Sequence, residues 1–198
     1  MPEAACSCRD YPDIRLSRAE VLGRAKAFKA LASRLTLVAA NPDREHRLFT
    51  CSPCGAFWQG ARALHVGTKP YLFRVPSVCP SSWLETRFVD PDEILVFVAG
   101  LDRYLERNQF ALAQVACAHT PCAALAIRHS VHCLLHHIEA LQASHLLPQL
   151  PVGRWFGPYV PLGPDAFIRH VTALQSDLAR VTQPGLTPGS TGLATLAG

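Results

Sequence analysis

Charge is scarce in this sequence: only 17% of its 198 residues are Asp, Glu, Lys or Arg, against 49% hydrophobic. That balance excludes a chain that is disordered as a whole and predicts a globular protein with a real core. Lysine is almost absent, the formal charge is +4, and no dense Lys/Arg run occurs. Contact with nucleic acid is permitted by such a charge but not argued for by it. Long hydrophobic runs are missing too. The longest, Ile94 to Leu101, is interrupted by Gly100 and falls far short of the roughly 20 residues that span a bilayer. The opening MPEAACSCRD carries acids and no apolar stretch, so it does not read as a secretory signal. The expectation is an intracellular protein in which thiols stay reduced.

Familiar catalytic signatures are also lacking. There is no G-x-x-x-x-G-K-[ST], no G-x-G-x-x-G, no G-x-S-x-G and no H-E-x-x-H. The zinc deaminase pattern pairs H-x-E with P-C-x-x-C. Here His137-x-Glu139 follows the C-x-x-C instead of preceding it, and the proline lies inside that motif. The sequence therefore predicts no enzyme. A zinc-dependent hydrolase or deaminase using the His-rich stretch stands as the competing class.

What the chain does have is cysteine and histidine, eight and nine of them. Reduced thiols in that number point to metal binding or burial before disulfides. They concentrate in Cys117–His137, which holds Cys117, Cys122 and Cys133 with His119, His129, His132, His136 and His137. Thr120-Pro121 reads as an N-cap and first helical position, predicting a helix to about Leu147. At about 100° per residue, His129, His132 and His136 would share one stripe. Ile127, Val131, Leu134, Ile138 and Leu141 would face a core. A second group, Cys51-Ser-Pro-Cys54, is a C-x-x-C half-site whose two sulfurs can converge on one ion. Its expected partners are Cys117, His119, Cys122 or Cys133. The alternative is that Ser52 and Pro53 merely open a helix through Phe57, Trp58 and Leu64. Cys6 and Cys8 form a C-x-C pair, of a kind that can bind metal, in an irregular lead-in, residues 1–16. Cys79, alone, reads as a small buried side chain.

Other helices follow from capping and periodicity. Ser17 and Glu20 form a capping box, and Val21, Ala25, Phe28, Ala32 and Leu35 give one apolar face of a helix to about Ala40. The basic residues Arg18, Lys26, Lys29 and Arg34 take the other face, a solvated surface or, alternatively, a nucleic-acid contact within residues 18–34. Asp90-Pro91-Asp92-Glu93 opens a helix to about Ala118. Residues 68–83, with three prolines, read as an extended loop with at most one short strand. Residues 148–164 are rich in proline, glycine and aromatics and read as a strap or a docking segment. A last amphipathic helix starts at Pro164. Residues 184–198, almost uncharged and Gly/Thr/Pro-rich, are expected to be disordered.

Between about residues 25 and 140 the order of features resembles the small alphaherpesvirus virion protein of the unique-short region, for which a C-x3-C-x3-H-x3-C finger has been proposed. The residues that carry this are Pro53 to Trp58, then Cys117, His119, Cys122 and the His132-Cys133-Leu134 triplet. The resemblance implies that Cys117 and Cys122 match finger cysteines and His119 the finger histidine. The spacings are shorter than in the pattern, and an alanine near Ala113 holds the first cysteine's place, so Cys133, a helix histidine or the Cys51/Cys54 pair must complete the set. It further implies a tegument or accessory protein of the virion and of the host nucleus or cytoplasm, partnered by viral or host proteins.

Together these readings predict a mainly α fold: one helical domain of about five helices over residues 17–183, with a Pro-rich strap. A structural zinc would be drawn from Cys51, Cys54, Cys117, His119, Cys122, Cys133 and His129. The function expected is protein binding.

Overall fold

The computed structural model describes residues 6–42 and 45–182; the expected tail, 184–198, lies outside them. The described residues form five helices, α1 (Arg18–Ala32), α2 (Pro80–Glu85), α3 (Pro91–Arg107), α4 (Leu134–Ala143) and α5 (Pro164–Thr182). Between them run six strands, β1 (Thr36–Ala40), β2 (Arg47–Thr50), β3 (Phe57–Ala63), β4 (Lys69–Val75), β5 (Leu112–Ala116) and β6 (Leu125–Ile127). The first four make an antiparallel sheet in the order β1-β2-β3-β4, and β5 and β6 pair as a separate hairpin. The fold is thus mixed α/β. The expected helix count holds, but the mainly α class does not.

Each correction has a physical cause. The helix opened by Ser17, whose side chain accepts the Glu20 N–H, stops at Ala32. The next residues, Thr36 to Ala40, extend instead and pair with β2 across a short loop. Phe57 to Leu64, readable as a helix, is mostly β3. Strand pairing on both sides decides this, and central Gly60 lets Phe49 close over it, since a Cβ there would lie 3.2 Å from that ring. The expected loop 68–83 contains a seven-residue strand and a short helix. The helix from Pro91 ends at Arg107, not Ala118, and runs unbroken through Gly100. A Cβ at Gly100 would come within 2.6 Å of the Pro148 ring, so the glycine admits the strap. The long helix expected from Pro121 is only α4. Thr120-Pro121 is a cis peptide in a loop, and His129 has a positive φ of 65°, incompatible with a helical stripe.

Both faces of the four-stranded sheet are covered. On one, Leu48, Ala61, Tyr71, Phe73 and Val75 pack with Trp83, Ile94 and the strap aromatics Phe156 and Tyr159. On the other, Phe49, Trp58 and Leu72 pack with Leu31 and Cys8. Helix α1 lies along β4, with Val21 in the first cluster and Leu31 in the second. A third cluster joins Phe97 and Leu101 of α3 to Leu112, Ile127, Leu134, Ile138, Phe167 and Val171. Helix α3 therefore spans two cores, with Ile94 in one and Phe97 and Leu101 in the other. The strap is tied to the sheet side by Arg154, whose N–H donates to Arg87 O at 2.9 Å and whose carbonyl accepts the Val89 N–H at 3.0 Å. No helix among the described residues is long and apolar enough to cross a membrane.

Candidate metal centres

Seven of the eight cysteines meet at two points. Cys6, Cys8, Cys51 and Cys54 form one group, and Cys117, Cys122, Cys133 and His136 form another. Within each group, one donor atom from every residue lies within 4.8 Å of all the others.

The first centre is built on a hairpin turn. Strands β2 and β3 are antiparallel neighbours, and the turn joining them is Cys51-Ser-Pro-Cys54-Gly55-Ala56. The Cys51 N–H donates to Ala56 O at 2.9 Å, and the Gly55 N–H donates to Cys51 O at 2.7 Å. Gly55 sits at φ 67°, a conformation that costs glycine least. This turn, not a helix opened by Ser52, aims Cys51 and Cys54 the same way. The N-terminal segment supplies the other pair. Cys6 Sγ lies 3.1 Å from Cys54 Sγ and 3.6 Å from Cys51 Sγ, and accepts the Cys8 N–H at 3.3 Å. Cys8 is buried against Trp58 and Leu31, which fixes the segment in place.

The second centre uses a hairpin and a helix start. The Cys117 N–H donates to Ala124 O at 2.9 Å, and the Cys122 N–H to His119 O at 2.8 Å. These bonds curl the β5–β6 connection so that Cys117 and Cys122 face α4. Cys133 is the N-cap of α4 and His136 lies in its first turn, where the positive end of the helix dipole favours thiolate. His136 Nδ1 stands 3.4 Å from Cys117 Sγ and 3.2 Å from Cys133 Sγ, and Cys122 Sγ is 3.9 Å from Cys133 Sγ. Cys117 Sγ also accepts the Cys133 N–H at 3.2 Å.

A zinc ion holding sulfur at about 2.3 Å in a tetrahedron spaces its sulfurs by about 3.8 Å. The observed separations, 3.1 to 3.9 Å, are those of donors already gathered around one small volume. Electrostatics point the same way. Burial raises the thiols of Cys8 and Cys51, while the Cys8 N–H and the Cys54 thiol bring Cys6 down to about 7. At the second centre burial opposes ionisation of Cys117. The N–H groups of Cys133 and His119 and the imidazoles of His136 and His132 outweigh it, bringing that thiol down to about 6. Burial, with the neighbouring Cys117 and Cys122, pushes Cys133 up to about 11. Crowded sulfurs cannot all ionise without a compensating charge. A divalent cation would supply it and deprotonate all of them. Both donor sets therefore fit a metal ion.

The residues singled out from the sequence are divided between the two centres. Cys51 and Cys54 do not join Cys117, Cys122 or Cys133, contrary to expectation; their partners are Cys6 and Cys8. Cys117, Cys122 and Cys133 do converge, but the fourth donor is His136. His119, the finger histidine by resemblance, instead stacks its ring on that of His136, centroids 3.9 Å apart and 9° from parallel. His129 stands outside both groups. His137 bonds elsewhere, to Tyr104 Oη at 2.8 Å and Ser130 Oγ at 3.2 Å. Cys79 is exposed, not buried. The missed donors did carry a signal. Cys6-x-Cys8 is a half-site needing the two further sulfurs that Cys51-x-x-Cys54 provides, and Cys133-x-x-His136 is a half-site of its own. On α1, the basic residues Arg18, Lys26 and Lys29, with Arg34 just beyond its end, are exposed, whereas Arg24 is buried with its guanidinium donating to Pro12 O.

No protein-family model, curated protein or solved structure matches this chain.

Proposed function

We propose that this chain is a non-catalytic, protein-binding module whose two halves are each fastened by a structural zinc ion. The observation that carries the reading is that each centre offers four protein donors: four cysteines in the first, three cysteines and one histidine in the second. Structural zinc sites are closed in this way, whereas catalytic ones keep a position for water or substrate. Glu139 faces Nε2 of His136 at 3.9 Å, across the ring from Nδ1, the atom that stands beside the sulfurs. The centres also sit where they secure the fold. One ties the N-terminal segment to the sheet, and the other ties the β5–β6 hairpin to α4. Exposed Val115, Leu125 and Val131, on that hairpin and the loop before α4, supply an apolar surface of the kind that docks another protein.

On the residue resemblance we extend the proposal to an accessory or tegument-type virion protein that acts in the nucleus or cytoplasm of the infected cell on viral or host proteins. Detection of the chain in purified particles tests that extension, and its consistent absence from them sinks it.

Metal analysis of the full chain purified under reducing conditions tests the zinc reading. The expected content is two zinc ions per chain, and cobalt substitution should give thiolate-to-metal charge-transfer bands with tetrahedral d–d absorption. Chelation should lower the melting temperature, because ligand binding to the native state is folding free energy. A chain that folds with the same stability and no bound metal refutes the proposal.

A further inference from the structure

Resting on the zinc reading, we infer that the first centre is an oxidation-sensitive site: peroxide joins Cys6 to Cys54 as a disulfide and expels that zinc, while the second centre keeps its ion.

The two centres differ in access. Cys54 is exposed and Cys6 half-buried. Both, with Cys8, line a cleft of about 960 Å³ bounded also by Arg9, Arg74 and Phe156. Hydrogen peroxide, little larger than water, reaches these sulfurs through it. Each centre has two buried cysteines, but the second has no exposed one: Cys117 and Cys133 are buried, Cys122 is half-buried, and the His119 ring lies flat over His136. Within the first centre Cys8 and Cys51 are buried and Cys6 and Cys54 are not, and these two sulfurs are neighbours, so they are the pair that joins. Oxidation of thiolates follows exposure and access, so the first centre reacts first.

The chemistry balances. One metal-bound thiolate attacks a peroxide oxygen, cleaving the O–O bond to give a sulfenic acid and hydroxide. The second thiolate attacks the sulfenic sulfur, forming S–S and releasing a second hydroxide. Two protons from solvent convert these to two waters, and the two electrons come from the two sulfurs. Left with Cys8 and Cys51 alone, the zinc departs and those sulfurs take up protons. Because Cys6, Cys8 and Cys54 all line the cleft, the change alters a surface next to the sheet.

The test uses the full chain carrying Cys79→Ser, which removes the remaining exposed thiol, after its metal content has been measured. Hydrogen peroxide is added in small excess, zinc release is followed with a chromogenic chelator, and disulfides are mapped by digestion and mass spectrometry. The expected result is loss of one of two zinc ions with a Cys6–Cys54 linkage, reversed by dithiothreitol and added zinc. Cys122→Ser, which disables the second centre, should still release its remaining ion with the same linkage. Release of both ions together, a linkage among Cys117, Cys122 and Cys133, or retention of both ions overturns the inference while leaving the zinc reading intact. A chain found to hold no zinc before peroxide is added overturns both.

Discussion

Replacing Gln59 with leucine should cost this fold a large share of its stability. Gln59 is fully buried on β3 and uses its whole amide. Its Nε2 donates to Phe88 O at 2.8 Å and Asp90 Oδ1 at 2.7 Å, and its Oε1 accepts from Trp83 Nε1 at 2.7 Å and the Phe88 N–H at 3.1 Å. One side chain thus joins the sheet to α2, to the segment before α3 and to the residue that caps α3. In Gln59→Leu the two accepting groups keep other donors: Phe88 O retains Arg87 Nη1 at 3.0 Å, and the Asp90 carboxylate retains His46 on its other oxygen, Oδ2, at 2.9 Å. The two donors, Trp83 Nε1–H and the Phe88 N–H, lose the bonds Gln59 gave them. At roughly 1–3 kcal/mol for each buried donor left unsatisfied, the loss is about 2–6 kcal/mol, against a typical total of about 5–15 kcal/mol. Urea unfolding followed by near-ultraviolet circular dichroism measures it. A double-mutant cycle with Trp83→Phe isolates the pair: the double variant should be more stable than the sum of the single losses requires, by about 1–3 kcal/mol. A Gln59→Leu protein within about 0.5 kcal/mol of the parent, or an additive cycle, would refute the idea that this amide is the tie.

Other outcomes follow from the same geometry. His136→Ala should reduce zinc content from two ions to one, while His119→Ala, which removes only the stacked ring, should leave two; metal analysis of both variants separates the observed donor set from the finger spacing. Gly153→Ala should destabilise the chain by about 1–3 kcal/mol or more. Gly153 has φ 151° and a Cβ there would meet Arg87 O at 2.8 Å, so the strap must lift; thermal unfolding and faster proteolysis near Arg154 report it. Ile138→Ala on the buried face of α4 should cost about 2–5 kcal/mol from lost burial and a residual cavity, measurable by chemical denaturation.

How much of this was legible beforehand depends on the range of the interaction concerned. Ser17 with Glu20 and Asp90-Pro91 announced α1 and α3, and Pro164 announced α5, because caps and first-turn prolines act within four residues. The apolar face Val21, Ala25, Phe28, Ala32 and Leu35 and the exposed basic face were legible for the same reason. The ends of α1 and α3 were not. Thr36–Ala40 and Leu112–Ala116 are short apolar runs that suit either period, and only a partner strand elsewhere in the chain chooses extension. The C-x-x-C at Cys51 announced a half-site, but nothing near it named Cys6 and Cys8 as its complement; Cys6 lies 45 residues before Cys51 and 48 before Cys54.

The sequence by itself determined the chemistry available: sulfur and imidazole in quantity, little charge, no familiar catalytic signature, and the starts of α1, α3 and α5, though at Thr120-Pro121 the same capping signals opened a loop. The tertiary structure alone decided how that chemistry is shared out. Donor identity is a property of single residues, but coordination is a property of four positions brought within a few ångströms, and strand pairing does that bringing. The β2–β3 hairpin turns Cys51 and Cys54 toward the N-terminal segment. The β5–β6 hairpin turns Cys117 and Cys122 toward the start of α4, where Cys133 and His136 stand.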